Sequence, residues 1–353
     1  MPALITHHLF GERSATLLPE GVISGEEELL AFLLGNQGPD PFFFRVLGKP
    51  AHVKAAQALA HRMHDELMTA AFSSLREGVS HLPEADAGVG RAFALGLLSH
   101  YQLDRTAHPF VYAQEFAIIE ASRQAQVEGT AVRPDAGASR SDAAGSGTGA
   151  GAGSAGLPDL SDAASEIHAV IESDLDSWML WRLRRATVHD CAPADELTRT
   201  ERICRVAGAL TSQVAWATYG IDLPATEYAG AVANMEALYR IIEPAGSLGA
   251  RTAGRLERLV RAHSQLQSLS HRVTTSDACE AANLDHRPWR DPFAGTLSCD
   301  SFPDRFDKAL AGWPALSEAF TRGGEQLREA VAGLNYSGVV LGADEICPPE
   351  KRG

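Results

Sequence analysis

Apolar residues recur at i, i+3, i+4 and i+7 along most of this chain, the period of amphipathic helices. The pattern predicts helices over residues 26–34, 53–76, 87–103, 110–126, 158–185, 196–219, 227–243, 249–272 and 303–333. The first of these, EEELLAFLL, closes on Gly35, a residue type that commonly stops a helix. Alternating strand-type runs are scarce, and GVVLG at 338–342 is the one short candidate. The expected class is therefore all-α.

One segment departs from the pattern. Residues 127–157 are almost wholly Ala, Gly, Ser, Asp and Arg, with nothing large to bury. Such a composition cannot offset its ordering entropy, so a flexible insert is expected between 1–126 and 158–353, which together form one domain. The glycine run GSGTGAGAG inside it follows no predicted strand and carries no phosphate-loop lysine, so it reads as linker.

Composition narrows the function. A chain of 353 residues with 45% hydrophobic content can bury a large core. A formal charge of -14 leaves no basic surplus for phosphates, which disfavours nucleic-acid scaffolding and attraction to anionic membranes. Cys191, Cys204, Cys279, Cys299 and Cys347 are odd in number and form no CxxC pair, so reduced thiols are expected. The start MPALITHHLF lacks the layout of a secretion signal and no apolar run is long enough to span a bilayer, so the expected setting is cytoplasmic.

The chemistry begins in SHYQLDRTAHPF. On a helix, His100, Asp104 and His108 drift by only about 40° per step and share one face, although Pro109 predicts that the helix frays or ends near His108. The preceding AFALGLLSHY is strongly apolar, so the stripe should be buried, where it needs hydrogen-bonded partners or a metal. An ion pair with Arg105, or a histidine satisfied by a backbone carbonyl, would also account for it. In EIHAVIESDLDSWML, His168 and Glu172 stand at i and i+4 with Asp176 one turn on, a spacing that suits one zinc ion and equally a salt-linked surface pair. Asp40 in GNQGPDPFFF fits an Asx turn as well as a ligand. His64, beside His61 in HRMHDEL, and His7 with His8 in ITHHLFGE can be ligands or ordinary helical and capping histidines. ANLDHRPWRDPF places Asp285, His286 and Trp289 either at the cleft as lining or lid, or packed against the core.

The order of these residues is more specific than any of them alone. His7, Asp40, His64, His100-x3-Asp104, His108 and His168-x3-Glu172 resemble the ligand order of the bacterial zinc-dependent phospholipase C family, which is related to the fungal single-strand-specific nucleases. ITHHLFGE, LLGNQGPDPFFF, MHDE and SHYQLDRTAHPFVY look like its intracellular-type branch, and the resemblance covers about residues 1 to 185. It implies an all-α fold with two or three zinc ions at the bottom of a cleft. Asp40, His64 and His100 would hold one ion; Asp104 would bridge it to a second that also takes His7; His108, His168 and Glu172 would hold the third. Asp40 would also serve as general base. Secreted members complete the second site with their processed N-terminal residue; here Pro2, His7 and His8 remain alternatives for that place.

The expected function is zinc-dependent hydrolysis of a phospholipid or a soluble phosphodiester, with no stable nucleic-acid partner. A single-strand nuclease and a non-catalytic helical protein with a structural or vestigial metal site are the competing readings.

Overall fold

The computed structural model describes residues 4–131, 160–245, 247–249, 251–252, 268–331 and 333–342. Its helices are α1 (Leu4–Ala15), α2 (Glu26–Gly35), α3 (Pro50–Asp65), α4 (Met68–Ser80), α5 (Glu84–Ala131), α6 (Leu160–Arg184), α7 (Glu201–Tyr219), α8 (Thr226–Ile242), α9 (Phe302–Arg322) and α10 (Gly324–Val331). Among the described residues, strand structure is confined to the antiparallel pair Trp289–Arg290 and Leu297–Ser298 and to an isolated bridge between Leu334 and Val340. The fold is all-α. The expected insert 127–157 lies outside the described residues apart from its first five positions, which continue α5, and most of the predicted helix 249–272 also falls outside them.

α5 is the axis of the molecule. Helices α1, α2, α4, α6, α7 and α9 all pack against it. Its closest neighbour is α2, because the two cross glycine on glycine. A Cβ on Gly35 would sit 2.3 Å from the Phe93 carbonyl, and one on Gly96 would sit 2.1 Å from that of Phe32. This backbone-to-backbone crossing seats the residues after α2 beside His100. The core around the crossing is dense with large side chains, among them Phe32, Phe93, Tyr228 and Trp313, all essentially inaccessible.

Several element boundaries differ from the sequence pattern. α5 does not end near His108 but runs through Pro109 as one helix. An internal proline costs roughly 3 kcal/mol, and the burial of both faces of α5 outweighs it. The run 53–76 is divided: α3 stops at Asp65 and Leu67 takes a left-handed φ of 59° before α4. No glycine or proline marks this break. The run 303–333 is divided at Gly323 and Gly324, which have φ of 70° and 58°. Finally, α1 has no amphipathic stripe to detect, because it is buried on most sides from Leu4 to Gly11.

Candidate metal centre

The residues singled out in the sequence come from five elements. α5 presents His100, Asp104 and His108 on one face; α6 brings His168 and Glu172, α1 brings His7, and the last turn of α3 brings His64. Asp40 opens a 3-10 helix, Asp40–Phe44, that follows α2. Together they form three groups, His7 with His100 and Asp104, Asp40 with His64 and His100, and His108 with His168 and Glu172. Within each group the potential ligand atoms lie within 4.8 Å of one another.

The second nitrogen of each ring defines what the first can do. Nδ1 of His64 bonds the Ala60 carbonyl at 2.7 Å, that of His100 the Asn36 carbonyl at 3.1 Å, and that of His108 the Tyr336 carbonyl at 3.0 Å. A carbonyl only accepts, so these Nδ1 atoms carry hydrogen and the neutral rings turn a bare Nε2 toward the cluster. His168 is held in the same way by the Glu115 carboxylate at 2.8 Å. Carboxylate oxygens face these lone pairs: Asp40 lies 3.0 Å from His64 Nε2, and Glu172 lies 3.2 Å from His168 Nε2 and 3.3 Å from His108 Nε2. Asp104 divides its oxygens, with Oδ2 3.1 Å from His100 Nε2 and Oδ1 3.1 Å from His7 Nε2. Lone pair against lone pair repels unless a cation stands between. His100 Nε2, in a side chain with no exposure, makes no well-aligned hydrogen bond, even to Asp104 Oδ2 at 3.1 Å. Imidazole nitrogen and carboxylate oxygen in groups of three are a donor set that suits zinc.

In the absence of such an ion, protons take its place. Burial raises the Asp40 carboxyl, but the imidazoles of His100 and His64 more than offset this and hold it below the usual range. Burial acts likewise on Asp104, which His108, His100 and His7 hold well below that range. Glu172 is also buried and is held well below by neighbouring positive groups, His168 and His108 among them. Reciprocally, His7 and His108 are raised despite burial, chiefly by Asp104.

The packing that aims these rings is local and specific. Gly38 has φ of 57°, and a Cβ there would sit 2.3 Å from the His100 ring, so the loop after α2 forms a cradle for that imidazole. His7 lacks a partner on Nδ1 and is oriented instead by stacking on His100, with centroids 4.0 Å apart. Asp176 fixes α1 itself by accepting from the first amides of that helix, Ile5 at 2.9 Å and Thr6 at 2.7 Å.

All of these ligand candidates except His100 open onto a cavity of about 710 Å³. Its remaining wall includes the apolar Phe43 and Leu238, the polar Gln57 and Asn234, and two further titratable groups, His61 and Asp65, while no lysine or arginine lines it among the described residues. Other candidates lie elsewhere. His8 points away from the cluster and pairs with Glu196 at 2.8 Å. Arg105 bonds Gln102, Tyr101 and the Ala330 carbonyl and makes no ion pair with Asp104. Asp285 and His286 are exposed, and Trp289 packs edge-on against Phe110, so that stretch takes its packing role and is not part of the cavity wall. Pro2 lies outside the described residues.

Beyond the Ala60 carbonyl within α3, contributors not evident from the sequence are Glu115, Asn36 and Tyr336. Glu115 stands two turns beyond His108 on α5, so the stripe could have been extended to it. Asn36 and Tyr336 act through backbone carbonyls, which leave no side-chain signature.

Residues 6–204 match the family described as zinc dependent phospholipase C. No curated protein and no solved structure matches the chain. The match spans more than half of the sequence and every residue of the three groups, from His7 to Glu172. A chain with that match, and with imidazole lone pairs and carboxylates converging at a cavity floor, belongs to the zinc-dependent phospholipase C family, hydrolases of phosphodiesters.

Proposed function

We propose that the chain cleaves the phosphodiester of a phospholipid headgroup and that the three groups each hold one zinc ion. Asp40, His64 and His100 hold the first; His7 and Asp104 hold the second, with Asp104 shared between these two; His108, His168 and Glu172 hold the third. The observation that carries the proposal is the tethering of Nδ1 on four of the five histidines, which leaves Nε2 bare toward carboxylate oxygens at the cavity floor. Bound zinc would lower the pKa of water and offset charge on the phosphoryl oxygens.

The chain's own groups supply orientation and proton handling. Asp40 Oδ1 is engaged by His64 at 3.0 Å, whereas Oδ2 lies 3.9 Å from His100 and is the oxygen placed to take a proton from the attacking water. The cavity volume, about 710 Å³, falls within the range typical of small-molecule pockets, roughly 300–1,000 Å³, and accommodates a headgroup. The absence of lysine and arginine from its described wall and the formal charge of -14 favour a single phosphodiester over a polyanionic strand. No described helix is long and apolar enough to cross a membrane, so the lipid would be met from the aqueous side.

Metal analysis of the chain purified without chelator tests the reading directly. Two or more zinc equivalents, with chelator-sensitive release of phosphorylated headgroup, are expected; zero zinc overturns it. Faster release of nucleotides from single-stranded DNA than of headgroup from phospholipid would replace the lipase by a nuclease.

A further inference from the structure

Residues 333–342 lie far beyond the family match, which ends at residue 204, yet they reach the centre of the site. They form a tight hairpin. Leu334 bridges Val340, and the Asn335 side chain winds the turn by accepting from the amides of Ser337 at 3.0 Å and Val339 at 2.9 Å. The hairpin is seated where two helices are irregular. At the end of α3, the carbonyls of His64 and Asp65 are released by the break before α4. The Tyr336 amide takes the His64 carbonyl at 3.1 Å and the Asn335 side chain takes that of Asp65 at 3.4 Å. On α5, Pro109 has no N–H to offer the Arg105 carbonyl one turn back. Gly338, with φ of 78°, lies directly over that gap: a Cβ there would sit 2.7 Å from Pro109 Cγ and 3.1 Å from the Arg105 carbonyl.

The two irregularities are thus the two halves of one socket, and its occupant touches the ligand candidates. Tyr336 offers its carbonyl to His108 Nδ1 at 3.0 Å while its ring lies 4.9 Å from that of His64 and 5.6 Å from that of His100. It is fully buried there, also against Tyr101, whose hydroxyl donates to the Leu334 carbonyl at 2.8 Å.

We infer that the 333–342 hairpin is a working part of the zinc centre, in which Asn335, Tyr336 and Gly338 are positioning residues that fix the His108 tautomer and the His64 ring for metal. This rests on the three groups being the zinc site. Removing an anchor on a ligand's second nitrogen typically weakens metal binding about 10–100-fold, so the hairpin's seating should be read in zinc affinity.

Gly338→Ala adds the collision with Pro109. Gly333→Ala is its control, since Gly333 has φ of 89° but open space around its Cβ, and so carries the backbone strain alone. Zinc affinity and stoichiometry would be measured on the full chain by competition with a chromophoric chelator, and the melting of metal-free protein followed in parallel. Gly338→Ala should bind one or more ions at least about tenfold more weakly while Gly333→Ala stays within about twofold of the parent. Adding Pro109→Ala to Gly338→Ala should restore part of the loss. Should Gly338→Ala not fold, Asn335→Ala decides, because it unwinds the turn without a collision: a tenfold weakening supports the inference. Parent-like zinc affinity in Gly338→Ala or in folded Asn335→Ala, or equal losses in Gly338→Ala and Gly333→Ala, overturns it. A parent chain that binds no zinc would instead overturn the function proposed above.

Discussion

Glu172 and Asp176 stand one turn apart on α6, both buried, each against histidine, yet they belong to different kinds of cluster. Around Glu172, the rings of His108 and His168 have Nδ1 tied to acceptors outside the cluster and Nε2 turned toward carboxylate and cavity. Around Asp176, both nitrogens of His271 are consumed by acids, Nε2 by Asp176 at 3.0 Å and Nδ1 by Glu243 at 2.6 Å. Asp176 is further satisfied by the amides of Ile5 and Thr6, and neither it nor His271 borders the cavity. The first cluster needs a cation; the second already contains one, the imidazolium itself. His168, like His271, has a carboxylate at each nitrogen, so what separates the proposed metal site from the ion pair is its second ring, His108, tied through Nδ1 to a backbone carbonyl, and its access to the cavity.

That contrast predicts opposite responses to mutation. The largest effect should come from Asp104→Ala, which removes oxygens facing both His100 and His7. Loss of at least one zinc equivalent and a fall in hydrolysis of about a thousandfold or more, some 4 kcal/mol, is expected from metal analysis and headgroup release. Unchanged zinc content would remove its proposed bridging role. His271→Ala should do the reverse, leaving two buried carboxylates without their partner. A destabilisation of about 3–5 kcal/mol in denaturant melts is expected, with zinc stoichiometry retained in the folded fraction.

In metal-free protein the ion pair should add its own pH limit to that set by the raised His7 and His108 of the cluster. Burial lowers the His271 pKa, but hydrogen bonds to Asp176 and Glu243 outweigh it and push it up to about 9 from the ordinary 6.5. The protonated ring is the stabilising form. Its contribution, on the order of 3 kcal/mol, is present in full below the unfolded value and is lost as pH rises through about 9. Melts of metal-free protein from neutral to alkaline pH should show this fall in the parent chain and a flatter profile in His271→Gln; parallel profiles would contradict it. The smallest effect should come from Glu115→Gln, which weakens only the anchor behind His168. Zinc affinity should drop about tenfold, near 1.4 kcal/mol, with little change in metal-free stability.

The same contrast shows what the sequence made legible. The i, i+4 spacing on α5 and α6 placed His100, Asp104, His108, His168 and Glu172 in groups because helical geometry converts spacing into proximity. Asp40, His64 and His7 come from separate elements, so only their order along the chain pointed to the same place. His271 gave no signal, since its partners lie far away in sequence at Asp176 and Glu243. The division of 303–333 falls on the local signal of Gly323 and Gly324, whereas the other boundaries differ from the pattern where tertiary contacts override local preference. α5 passes through Pro109 because its neighbours hold it, and α3 ends at Asp65 because the hairpin supplies replacement hydrogen bonds. α1 was missed because a helix buried on most sides has no stripe.

The uninterrupted course of α5 past Pro109 has a consequence for how such a chain can change over evolutionary time. With His100, Asp104 and His108 on one rigid rod, their separations are set by helical rise and turn. A single residue inserted between any two of them would rotate the later ones by about 100° and advance them about 1.5 Å, turning them out of the cluster. Drift in length is therefore closed to this stretch, and variation there must proceed by substitution alone. Connections that hold no ligand candidate, unlike the one carrying Gly38 and Asp40, are where changes in length can accumulate.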